Sequence, residues 1–166
     1  MATSRPTRGH LTRFELKLKT PLPPPEAWAR ILDLRAHDRL IPFTHITHGM
    51  APAEELQPGH RFVACTTLGR VGFNDIMTVE EISPPAPGSP GHVFIVKSGK
   101  LIRGFVDLTV EYGRTVGHGR EGTSDGATVR WVQEFGLGRF PAAVGLVASW
   151  IAPVAYRAML HRLLRG

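Results

Sequence analysis

A chain of 166 residues with 42% hydrophobic content is long enough to bury one core and too apolar to be disordered. Its net charge of +6 points to a polyanionic partner, yet the 20 basic residues are scattered with no dense run, which argues against a nucleic-acid binder. The single cysteine, Cys65, excludes an internal disulfide and suits a reducing compartment; no apolar leader opens the chain, so the expectation is a cytoplasmic protein.

Residues 1–11 read as a flexible polar tail ahead of a single domain, 12–166. From Thr12 to Lys19 the residues alternate, with Phe14, Leu16 and Leu18 against charged neighbours, which predicts a half-buried strand. Pro21 and Pro23 to Pro25 end it. Trp28, Ile31 and Leu32 recur at helical spacing between Glu26 and Leu34, and Arg35 to Ile41 suits a second short helix closed by Pro42. Phe43 to Pro58 reads as a loop. Five strands follow: Gly59 to Leu68, Val71 to Ile82, His92 to Ser98, Gly104 to Tyr112 and Ala127 to Leu137. Most of their connections are hairpin length, so the run should be antiparallel. The segments Ser83 to Gly91 and Gly113 to Gly126, rich in glycine and proline, can only be loops.

The chain closes on Phe140 to Arg165, uncharged as far as Tyr156 and amphipathic beyond it. At about 1.5 Å per residue this is one helix of roughly 36 Å. Its apolar run falls short of the about 20 residues that a membrane span needs, so burial beneath the sheet is expected. Pro141 suits a first helical turn, and Pro153 predicts a kink near Ala152.

Motif matches are few. GHGREG, 117–122, fits G-x-G-x-x-G but opens no helix, so a dinucleotide site fails on context. His45 and His48, with His37 near, lack a third ligand at sensible spacing, and neither metal nor cofactor is expected. Cys65 has no base indicated beside it. The sharper signal is polar residues on apolar strand faces. Asp75 shares a face with Phe73 and Met77, and Gln133 lies between Trp131 and Phe135. A bare carboxylate there is costly, so Asp75 must be hydrogen-bonded or protonated. Two readings stand. Asp75 lies near a strand end or pairs with an arginine, or it is a general acid or base beside an amide that orients a substrate carbonyl. Val106 and Leu108 share an apolar face, Tyr156 offers a hydroxyl at the end of a pocket, and Trp150 is expected to pack on the sheet.

Several stretches resemble the START-like, Bet v 1-like superfamily, in the branch of polyketide cyclases/dehydrases and lipid-transport proteins. PLPPPEAWARILDL (Pro21 to Leu34) is similar to its proline-then-tryptophan helix. IMTVEEISPP (Ile76 to Pro85) is similar to its acidic-ended strand with a Pro-Pro turn. ATVRWVQEF (Ala127 to Phe135) is similar to its last strand, and the C-terminal helix to its grip helix. The resemblance implies an α+β helix-grip fold: a curved antiparallel sheet of about six strands, with a seventh possible, wrapped around the long helix, with two short helices after the first strand. It also implies an apolar cavity for a hydrophobic small molecule. The function implied is cyclisation or dehydration of a polyketide-like or terpenoid-like intermediate, or simple carriage of a lipid or quinone. The family shares no catalytic residues. Asp75 and Gln133 stand as catalytic candidates. Phe73, Met77, Val106, Leu108, Trp131, Phe135, Trp150 and Tyr156 stand as ligand-binding candidates. An acidic carrier protein would suit the basic surface.

Overall fold

The computed structural model describes residues 11–41, 43–68, 70–113, 126–137 and 142–165. Residues 1–10 of the expected tail, Pro141 and the G-x-G-x-x-G segment lie outside these residues, while Leu11, expected in the tail, opens the first strand. The elements run β1 (Leu11–Thr20), α1 (Pro24–Leu32), α2 (Leu34–Leu40), β2 (Thr44–His48), β3 (Arg61–Leu68), β4 (Val71–Ser83), β5 (Gly91–Ser98), β6 (Ile102–Tyr112), β7 (Ala127–Leu137) and α3 (Ala142–Leu164). All seven strands form one antiparallel sheet in the order β1-β7-β6-β5-β4-β3-β2.

The segment expected to be a loop, Phe43 to Pro58, instead supplies the seventh strand and a 3₁₀ turn at Ala53–Glu55. β2 pairs with β3 from Thr44↔Thr66 to His48↔Val63, and Asp38 in α2 accepts a hydrogen bond from the Ile46 amide. THITH is too polar to announce itself as a strand; pairing at the sheet edge decides it.

α1 begins on Pro24, where the missing N–H costs nothing, and buries Trp28, Ile31 and Leu32. Asp33 then caps α2 by accepting from the Arg35 amide. α3 runs through Pro153 and packs along β1 and α1, burying Met159, Leu160, Leu163 and Leu164. The buried residues of α3 thus join one core with Ile31 of α1, Val110 of β6 and Val129 of β7. A bulge in β4 between Val79 and Glu81 shifts the alternation by one. That shift brings Ile82 back to the core after Phe73, Asp75, Met77 and Val79 have faced inward.

Candidate functional site

Between the sheet and the first half of α3 lies a cavity of about 630 Å³. Strands β3 to β7 wall it, α2 and β2 border it, and Ile151, Ala152 and Tyr156 of α3 roof it. Antiparallel register sets which side chains meet. Asp75 stands opposite Ala64, Met77 opposite Lys97, Lys97 opposite Gly104, and Gly104 opposite Phe135. Gln133 stands between Val106 on one neighbouring strand and Phe14 on the other.

The wall is largely apolar, with polar side chains at Asp75, Lys97 and Gln133 on the sheet and at His37, Asp38, Thr44 and Thr66 on the side of α2, β2 and β3. Lys97, 4% exposed, donates to Oδ2 of Asp75, 9% exposed, and lies 3.5 Å from the Met77 sulfur. The cation that meets Asp75 is thus a lysine on the adjacent strand, not an arginine. Burial pushes the Lys97 ammonium down, but the charge of Asp75, the neighbouring Tyr156 and the hydrogen bond to Asp75 outweigh it, holding Lys97 above the ordinary lysine range. Oδ1 of Asp75 is buried and has no hydrogen-bond partner among the described residues. An orphan of this kind costs on the order of 1–3 kcal/mol and leaves an acceptor in the cavity wall. Trp131 donates its indole N–H to Gln133 Oε1 at 3.1 Å. Because an indole nitrogen only donates, this contact fixes the Gln133 amide with its oxygen toward Trp131 and its NH₂ group elsewhere.

Tyr156 stacks at 5.6 Å from Trp131 and 5.8 Å from Phe14, whose ring meets Phe135 edge-on at 6.5 Å. On the α2 side, His37 lines the cavity and donates from Nε2 to the Ile31 carbonyl. Burial of its imidazole pushes it below the ordinary histidine value, so the ring is neutral at pH 7. Among the described residues no cluster of His, Cys, Asp and Glu could hold a metal ion.

The wall contains Asp75, Gln133, Phe73, Met77, Val106, Trp131, Phe135 and Tyr156. Two expected ligand-binding residues are not there. Leu108 is fully buried in the solid core, because α1 packs on β6 and β7 at that level and fills the space. Trp150 does not pack on the sheet; it is 76% exposed. At about 100° per residue it lies on the side of α3 away from Tyr156, Leu160 and Leu163.

Other solved structures share this fold. Protein CV1439 from Chromobacterium violaceum matches with a TM-score of 0.58 at 14% identity, over 92% of this chain and 95% of that one. Ara h 8.0201 matches at 0.54 and 12% identity, over 95% and 100%. The chain has the Bet v 1-like, helix-grip fold. Norcoclaurine synthase from Thalictrum flavum, in complex with dopamine and hydroxybenzaldehyde, has the same fold, with a TM-score of 0.52 at 12% identity over 98% and 94%. No family model and no curated protein matches the sequence.

Within this Bet v 1-like frame, Lys97 is the polar residue that the sequence reading passed over. The signal was present: Val93, Ile95 and Lys97 alternate in phase along β5, so the lysine shares the buried face. His37 of α2 and Ile41, just past its end, carried no such signal. They reach the cavity only because α2 folds over its side.

Proposed function

We propose that this protein takes a hydrophobic small molecule into the cavity and acts there as a cyclase or dehydratase on a polyketide-like or terpenoid-like intermediate. The observation that carries the reading is a buried Lys97–Asp75 ion pair in a largely apolar cavity wall that also holds the Gln133 amide, bonded to Trp131. The volume, about 630 Å³, suits a folded small molecule. Rate enhancement comes first from holding a flexible chain in a reactive shape. Asp75 takes a proton from the carbon beside a substrate carbonyl, and the electron pair moves onto the carbonyl oxygen. Lys97 and the Gln133 amide donate to that oxygen. The enolate carbon then attacks a second carbonyl in the same chain, forming the ring bond. Asp75 gives its proton to the new alkoxide, which becomes a hydroxyl. For dehydration it takes the remaining proton from the same carbon and delivers it to that hydroxyl, which leaves as water as the carbon–carbon double bond forms.

A second reading, a non-catalytic carrier of a lipid or quinone, needs only the apolar wall, and the ion pair is then a structural element. Native mass spectrometry of freshly purified protein tests the shared premise. The expected result is a retained apolar molecule in the wild type and its absence in Ala64→Phe. Ala64 lines the cavity opposite Asp75, so the larger side chain occupies the space while far-ultraviolet circular dichroism stays unchanged. A wild-type protein that carries nothing, and binds no apolar fluorescent probe in a way the variant abolishes, would remove the cavity from both readings.

A further inference from the structure

The middle of α3 presents an unusual face to solvent. Trp150 is 76%, Ile151 59% and Val154 69% exposed. At about 100° per residue these three share one arc of the helix, and Arg157, Arg162 and Arg165, all exposed, continue the same side toward the C-terminus. α3 contains no acidic residue. From Trp150 onward the outer face is therefore divided along its length, apolar as far as Val154 and cationic beyond it. The apolar end touches the cavity: Ile151 and Ala152 contribute to its wall.

We infer that this face of α3 seats the protein on an anionic phospholipid bilayer, with the mouth of the cavity against the lipid. The layering of the face matches the layering of the partner. Trp150, Ile151 and Val154 reach the boundary of the acyl chains, where tryptophan is favoured, and the arginines reach the phosphates. Guanidinium groups suit phosphate geometrically as well as by charge, and the net charge of +6 has the same sign as the patch. An acidic protein would meet the arginines but leave the exposed tryptophan and its neighbours without an apolar counterpart. No helix among the described residues is long and apolar enough to cross a membrane, so α3 lies on the surface and does not span it. A molecule too apolar to travel through water then passes between bilayer and cavity beside Ile151.

Co-sedimentation with vesicles tests this, using phosphatidylcholine alone and phosphatidylcholine mixed with phosphatidylserine. The wild type should bind the mixed vesicles far more strongly, by on the order of a hundredfold for three arginines near an anionic surface. Arg157→Gln with Arg162→Gln should weaken that binding roughly thirtyfold. Trp150→Ser with Val154→Ser should weaken it roughly tenfold or more, and should also abolish the blue shift of tryptophan emission on binding. All four positions are exposed, so the variants keep the fold, and a retained cavity ligand should be unaffected. The inference is overturned if the wild type ignores phosphatidylserine vesicles or if neither variant changes the binding. It is equally overturned if the wild type is a dimer that Trp150→Ser with Val154→Ser makes monomeric, or if the face binds an acidic carrier protein and not lipid. None of these results bears on whether the cavity holds a ligand.

Discussion

Replacing Lys97 alone with methionine is expected to lower the melting temperature by roughly 10 °C. Removing one partner of a buried ion pair costs about 3–5 kcal/mol, and each kcal/mol shifts a domain of this size by about 2–4 °C. The side chains of Lys97 and Asp75 are only 2% and 12% exposed, so water compensates little for the lost partner. The double variant Asp75→Leu with Lys97→Met should recover to within about 1 kcal/mol of the wild type, because two apolar side chains of similar volume avoid desolvating either charge. Thermal or urea denaturation of the wild type, the single variant and the double variant measures the difference. A single variant as stable as the wild type would mean that the pair does not act as a unit.

The same pair sets an alkaline limit. The folded-state value of Lys97 is raised, so the stability it contributes is complete below the unfolded lysine value. It drains away as pH rises through the folded value. The wild type should lose stability on that side faster than the double variant. In the enzymatic reading the double variant also loses turnover while retaining the cavity ligand. In the carrier reading it retains the ligand and there is no turnover to lose.

Gly104→Ala is expected to be as damaging by a different route. Gly104 has φ of +152°, a conformation that L side chains rarely adopt, and a Cβ built there would lie 1.9 Å from the Glu134 carbonyl oxygen and 2.8 Å from the Phe135 Cα. These are backbone atoms of β7, so no rotamer change relieves the clash. Strain and overpacking together come to about 3–5 kcal/mol. The position also matters to the cavity. Gly104 lies between Lys97 and Phe135 in the sheet, two residues that line the cavity, so a shift of β6 against β7 there reaches the cavity wall. Urea denaturation and amide exchange of β6 and β7 would report the effect. An unchanged exchange pattern at Phe105 and Glu134 would show that the strands accommodate the methyl group.

Trp131 and Gln133 could be placed on one wall from the sequence alone, since strand alternation fixes side. Lys97 was equally readable in principle, because it keeps the phase of Val93 and Ile95; its charge concealed it. Leu108 and Trp150 could not have been separated from true cavity residues in this way. Alternation says that Leu108 points inward. It does not say whether α1 fills the space that it points into. Likewise, the unbroken apolar stretch of α3 implies burial all round, whereas one arc of it faces water.

What the sequence by itself determined was local: the two-residue period of the strands, the proline-started α1, the long uncharged run of α3, and hence an antiparallel sheet with a terminal helix. Backbone sterics and the direction of successive side chains settle these within a few residues of chain. The tertiary structure alone decided that THITH joins the sheet, that Lys97 meets Asp75 across two strands, and where the interior is solid or hollow. Each depends on which distant segments come to lie side by side, and hydrophobic periodicity reports only that a face is buried, not what buries it.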